Sequence, residues 1–155
     1  MSRQEIIERL DREFGVCDRH IVRINEALDS LGLDGPMSVD QYVDLSAEQI
    51  RCIDQFIFRF AKLQDAMGGK LFRYILEYLD EDVSELPMRD ILNKLERFQI
   101  VPDAHEWVYI RQLRNNVAHD YPQSDNEVVS AVNELISKLD TVASIYDNLK
   151  KTYKG

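Results

Sequence analysis

The sequence is poor in the residues that mark several protein classes. It has two cysteines, four prolines, six glycines and one tryptophan in 155 residues. Cys17 and Cys52 fall among apolar neighbours on different expected helices, with neither CxxC nor Cys/His metal spacing, so both read as buried thiols rather than ligands. With 45% apolar and 30% charged residues, so little glycine and proline excludes a disordered or fibrous chain. No apolar run approaches the length of a membrane span. The opening "MSRQEIIERLDREF" carries charge throughout and lacks the apolar stretch of a signal peptide, so a cytoplasmic protein is expected. Positive charge is also scarce. Lys and Arg number 19 against 28 Asp and Glu, a net charge of −9, which argues against a broad nucleic-acid-binding surface and restricts any contact with RNA to a local patch. No stretch alternates with period two, and Asp34-Gly35, the one hairpin-type dipeptide, lies between helical patterns. Nothing resembles a carboxylate or His/Cys cage, so no metal or cofactor is expected.

What is present is helical periodicity. Leu10, Phe14, Cys17, Ile21, Ile24, Leu28 and Leu31 follow a four-three spacing that predicts a first helix from about Arg3 to Leu31, ended by Gly32 and Pro36 with a loop after it. Ser46 is placed to cap a second long helix whose inward side carries Ile50, Ile53, Phe56, Ile57, Phe60, Leu63 and Met67. Gly68-Gly69 interrupts it, and Leu71, Ile75, Tyr78 and Leu79 resume the pattern, which predicts a kinked or broken continuation. Pro87 suits the first turn of a shorter helix through Phe98. Asp103 with Glu106, and Ser124 with Glu127, resemble capping boxes opening two more helices. The first buries Trp107, Ile110, Leu113 and Val117. The second buries Val128, Val132, Leu135, Ile136, Leu139, Val142, Tyr146 and Leu149. With no repeat or low-complexity segment, the expectation is one domain over 1–155, an all-α antiparallel bundle of four to five helices.

Against this scaffold "LRNNVAHDYP", Leu113 to Pro122, stands out. His119 can give or take a proton near neutrality, and Arg114 offers a planar fork for two phosphate oxygens. Arg111, Asn115 and His119 follow at four-residue steps, which places Asn115 to orient the imidazole. Arg114 and His119 stand five residues apart, roughly 140° on an ideal helix, so they converge only where the helix ends or where a second chain contributes. RNA cleavage needs both groups: a base for the ribose 2′-hydroxyl, an acid for the departing 5′-oxygen, and positive charge at phosphorus. The bland alternative for the segment is a polar helix terminus followed by a proline stop.

"RNNVAHDY" matches the arginine, four residues, histidine, one residue, tyrosine signature of the HEPN superfamily. "RFAKLQDAMGGKLF" (Arg59 to Phe72) and "RDILNKLERFQIVPDAHEWVYIRQLRN" (Arg89 to Asn115) resemble HEPN proteins encoded beside MNT-type nucleotidyltransferases. The resemblance spans about Ser46 to Leu139. It implies a helical, two-fold dimeric, metal-independent endoribonuclease, the toxin of a toxin and antitoxin pair. Arg114 would bind the scissile phosphate, His119 would be the acid/base group, and Asn115 and Arg111 would support them. Tyr121 matches the tyrosine that a nucleotidyltransferase partner modifies with AMP. A dimer with both motifs in one cleft would place Arg114 of one chain beside His119 of the other. The competing functions are a non-catalytic HEPN subunit that binds the nucleotidyltransferase or its substrate, and an inert dimerisation protein.

Elsewhere the readings are mostly structural. His20 and His105 read as structural or solvated, Trp107 as core, and Tyr109 as outward-facing. Arg59, Lys62, Lys70 and Arg73 would line one side of the second helix if it continued through the glycines, forming either a solvated face or a basic patch for RNA. "YLDEDVSE" (Tyr78 to Glu85) reads as a solvated, acidic helix end.

Overall fold

The computed structural model describes residues 1–119 and 124–154, and for 118 and 119 only the helical backbone. The described residues are all-α: α1 (Arg3–Leu31), α2 (Val39–Val43), α3 (Ala47–Ala66), a π-helical turn (Met67–Leu71), α4 (Phe72–Tyr78), α5 (Met88–Arg97), α6 (Ala104–His119) and α7 (Asp125–Lys154). None of these helices is long and apolar enough to cross a membrane.

Local chemistry explains the ends. Ser2 and Glu5 form a capping box at the start of α1, and Gly32 closes that helix in the left-handed region at φ 69°, its N–H donating to Leu28 O. Ser46 and Gln49 form the same reciprocal box on α3. Pro87 is the N-cap of α5 rather than its first residue. Asp103 accepts from the backbone of His105 and Glu106 to open α6, but the Glu106 carboxylate turns to Lys138 on α7 at 2.9 Å, so the expected reciprocal box is not what fixes this end. Ser124 Oγ accepts from Glu127 N at α7. The loop expected after Gly32 contains a helical turn, α2, boxed by Ser38 and Gln41.

The pairings Gln49 with Leu31, Arg59 with His20, Lys70 with Glu13 and Arg3 with Tyr78 ascend on one chain segment as they descend on the other. They make α1 antiparallel to the rod formed by α3, the π turn and α4. Likewise Asp65 meets Arg114, and Gly68 and Phe72 meet Trp107, setting α6 antiparallel to that rod. Tyr146 donates to Phe14 O and to Asp18, tying α7 to α1.

The main core gathers Leu10, Phe14, Cys17, Phe56, Phe60, Met67, Phe72, Trp107, Val142 and Leu149. A smaller cluster of Leu31, Met37, Ile53, Val129 and Val132 lies beneath α2. There Asn133 accepts from Met37 N and donates to Met37 O, both at 2.8 Å, and thereby satisfies the loop backbone. The expected inward faces of α1 and α3 are largely as observed. On α7 the periodicity reading missed two buried residues, Val129 and Ile145, while Val128, Ile136 and Leu139 are only partly covered. Cys17 is buried and Cys52 half-buried, and both are free. Burial, with Glu13 and Asp18 nearby, pushes the Cys17 thiol up to about 12, so it is inert at neutral pH.

Candidate functional site

The site is built where the α3 rod crosses α6. α3 ends in a π turn over "MGGKL", the wider winding that recurs at functional positions in helices. Gly68 allows this turn to approach α6, since a Cβ there would lie 3.3 Å from Trp107 Cζ2, tighter than ordinary contact. Gly69 has nothing within 4 Å of its own hypothetical Cβ. Between the rod and α6 lies a cavity of about 270 Å³ lined by Gln64, Asp65, Gly68, Gly69, Met88, Trp107, Arg111 and Arg114.

Arg114 is the key residue of this wall. It is 8% exposed, and its Nη2 donates to Asp65 Oδ1 at 2.7 Å. Its Nε is buried with no hydrogen-bond partner among the described residues. Asp65 keeps more than half of its side chain in solvent, so the pair bridges interior and surface. Arg111, one turn earlier on α6, is exposed and lines the same cavity, so two guanidinium groups face one space. Gln64, 2% exposed, has neither its amide nitrogen nor its amide oxygen hydrogen-bonded. A buried polar group left unpaired costs about 1–3 kcal/mol, so a side chain carrying two such atoms calls for a reason.

Of the residues singled out in the sequence, Arg111 and Arg114 are brought together at this cavity. Asn115 is half-buried on α6, next to Arg114. His119 closes the same helix, which runs unbroken from Ala104, so the five-residue spacing from Arg114 is spanned by regular helix, and the side chain of His119 lies outside the described residues. Tyr121 also lies outside them. Trp107 is core, 2% exposed and tilted against Phe72 with ring centroids 4.7 Å apart. Tyr109 is outward-facing and donates to Glu134 on α7.

The row Arg59, Lys62, Lys70 and Arg73 does not form one face. The π turn between them adds a residue to the winding, which rotates the rest of the rod by roughly 100°. Arg59 donates to His20 Nδ1 at 3.1 Å, Lys70 pairs with Glu13, and Arg73 clamps the carbonyls of Val83 and Leu86. The acidic stretch after α4 is tied down as well as solvated: Arg3 donates to Tyr78 O, Lys94 pairs with Glu81, and Asp82 accepts from Ser84 N.

Gln64 and Asp65 were not among the sequence candidates. The available signal was a polar residue inside an apolar stripe, since Gln64 follows Phe60 by four positions and precedes Met67 by three. Comparisons of the chain with protein-family models, with curated proteins and with solved structures returned no match.

Proposed function

We propose that the chain is a HEPN-type endoribonuclease that cleaves RNA without a metal, acts as a toxin, and is neutralised by an MNT-type nucleotidyltransferase. The single observation that carries this reading is the Arg-x4-His-x-Tyr signature beginning at Arg114, whose arginine stands with Arg111 at one open cavity. In this reading Asp65 holds the Arg114 fork in place, leaving N–H groups to meet the scissile phosphate. Arg111 adds charge at the mouth, and Asn115 supports His119. His119 serves as the acid/base group. A base takes the proton of the 2′-hydroxyl, the 2′-oxygen bonds to phosphorus, and the bond to the 5′-oxygen breaks as that oxygen gains a proton. The products are a 2′,3′-cyclic phosphate and a 5′-hydroxyl. Tyr121 is the proposed point of AMP modification, and the working assembly is a two-fold dimer.

Purified protein incubated with total RNA in chelator should cut it. His119→Ala should slow cutting by about 10²–10⁴-fold. Cleavage that is absent from the wild type, or that survives both His119→Ala and Arg114→Gln, sinks the proposal.

A second reading has its own support. Arg114 already has a carboxylate partner, and of the row Arg59, Lys62, Lys70 and Arg73, three are engaged within the chain. A HEPN subunit that only binds a nucleotidyltransferase or its substrate tolerates both facts. It would co-purify with that partner and leave RNA intact.

A further inference from the structure

We propose that the cavity between the π turn and α6 receives one unpaired nucleobase of single-stranded RNA, with Gln64 as the group that reads its edge. The proposal rests on the ribonuclease reading above for RNA as the source of the base. Three observations point to a ligand. Gln64 lines the cavity, is 2% exposed, and has both its amide nitrogen and amide oxygen unpartnered. Both amide atoms are closed to solvent, so a base is read once the side chain turns into the cavity, where it sets a donor beside an acceptor, the pattern with which glutamine pairs two-pointedly to a base edge. Arg114 Nε, on the opposite wall, is a third buried group without a partner. The space itself suits a flat heterocycle. Gly68 and Gly69 leave the π-turn side without side chains, Met88 and the Trp107 edge supply apolar walls, and about 270 Å³ lies just under the range typical of drug-sized ligands. Arg111 at the rim and Arg114 provide charge for the phosphate attached to that base.

The chemistry distinguishes this from a bare anion site. An anion would be satisfied by the guanidinium groups and would leave the Gln64 amide unpaired. A base satisfies both. It also explains why a costly amide stands where leucine would fill the stripe.

The test is titration of the intact protein with the four ribonucleoside 3′-monophosphates and, separately, with inorganic phosphate. At least one nucleotide should bind about tenfold or more tighter than phosphate, the scale of one two-point base contact. Gln64→Leu should erase that margin, leave phosphate binding in place, and raise the melting temperature, because it removes two unpaired polar atoms. Nucleotides that bind no tighter than phosphate, or a margin that persists in Gln64→Leu, overturn the proposal. Should Gln64→Leu not fold, Gln64→Glu serves in its place. A carboxylate accepts from two donors and should shift preference toward guanine, and an unchanged preference overturns the proposal equally. RNA cleavage enters none of these readouts. Base-dependent binding without cleavage retains the pocket and removes the nuclease, whereas cleavage without base-dependent binding does the reverse.

Discussion

A guanidinium with 8% of its residue surface exposed needs an acceptor, and Asp65 supplies one from the neighbouring helix. Removing it leaves a buried charge without its charged hydrogen bond. Such bonds contribute about 1.5–3 kcal/mol, and the solvent around Asp65 holds the value near the lower end. Asp65→Ala should therefore lower the urea midpoint by the equivalent of about 1.5 kcal/mol with the m-value unchanged. The arginine was legible from the motif, but its carboxylate was not, because the two meet only when α6 packs across α3, and spacing within one helix does not report that contact. His20 gives a second residue-scale prediction. Burial, and then the charge of Arg59, hold its pKa below the usual histidine value, and the Arg59 N–H requires Nδ1 as a neutral acceptor. The unfolded chain therefore binds the proton at higher pH than the folded one, and stability is lost as pH falls from about 6.5 toward the lowered folded value. Asp18 and Asp82 belong to a lower window. Burial opposes ionisation of Asp18, but hydrogen bonds from Lys150 and Tyr146 outweigh it, and Ser84 stabilises the Asp82 carboxylate, so both stay below the ordinary aspartate range. Melting temperatures at pH 7.5 and 5.5 should differ less in His20→Gln than in wild type. An equal difference in both removes His20 from the acid response.

At the scale of elements, the long helices were legible because their apolar spacing repeats over many turns and their caps are written in adjacent residues, as with Ser46-Gln49 and Gly32. α2 escaped because five residues are too few for a period to emerge, although its Ser38-Gln41 box was present. The π turn escaped for another reason: Gly68-Gly69 announced an interruption, but the direction in which the rod resumed depended on Trp107 lying against it. That dependence separates two substitutions of similar appearance. Alanine in a helix interior is favoured over glycine by about 0.8–1 kcal/mol. At Gly69, where nothing lies within 4 Å, the gain should be realised in part and thermal stability should rise. At Gly68 the added methyl meets the Trp107 ring at 3.3 Å, and the indole is held against Phe72, so Gly68→Ala should instead lower stability by about 1–3 kcal/mol, the usual cost of overpacking. Paired thermal melts of the two variants decide this, and a shift of the same sign in both would mean that the turn yields freely.

Taken whole, the molecule carries −9, which confines any contact with RNA to a local patch, and the spacing of Arg114 and His119 bears on how many chains would build the proposed site. Because α6 is continuous from Ala104 to His119, five steps of regular helix lead from Arg114 to His119, and five steps on an ideal helix set two positions roughly 140° apart. Arg114 faces Asp65 across the α3 interface. In the proposed two-fold dimer, the histidine beside this arginine would come from the second chain, and the two-fold axis would make two such composite sites. Mixing separately inactive Arg114→Gln and His119→Ala chains, under conditions that exchange subunits, tests the arrangement. If each site takes its arginine from one chain and its histidine from the other, the mixed dimer contains one site with both groups intact and one with neither. Half of randomly exchanged dimers are mixed, each with one of two sites working, so an equimolar mixture should recover about one quarter of wild-type cleavage. If each chain uses its own pair, every site in the mixture lacks one group and cleavage stays at the level of the single variants.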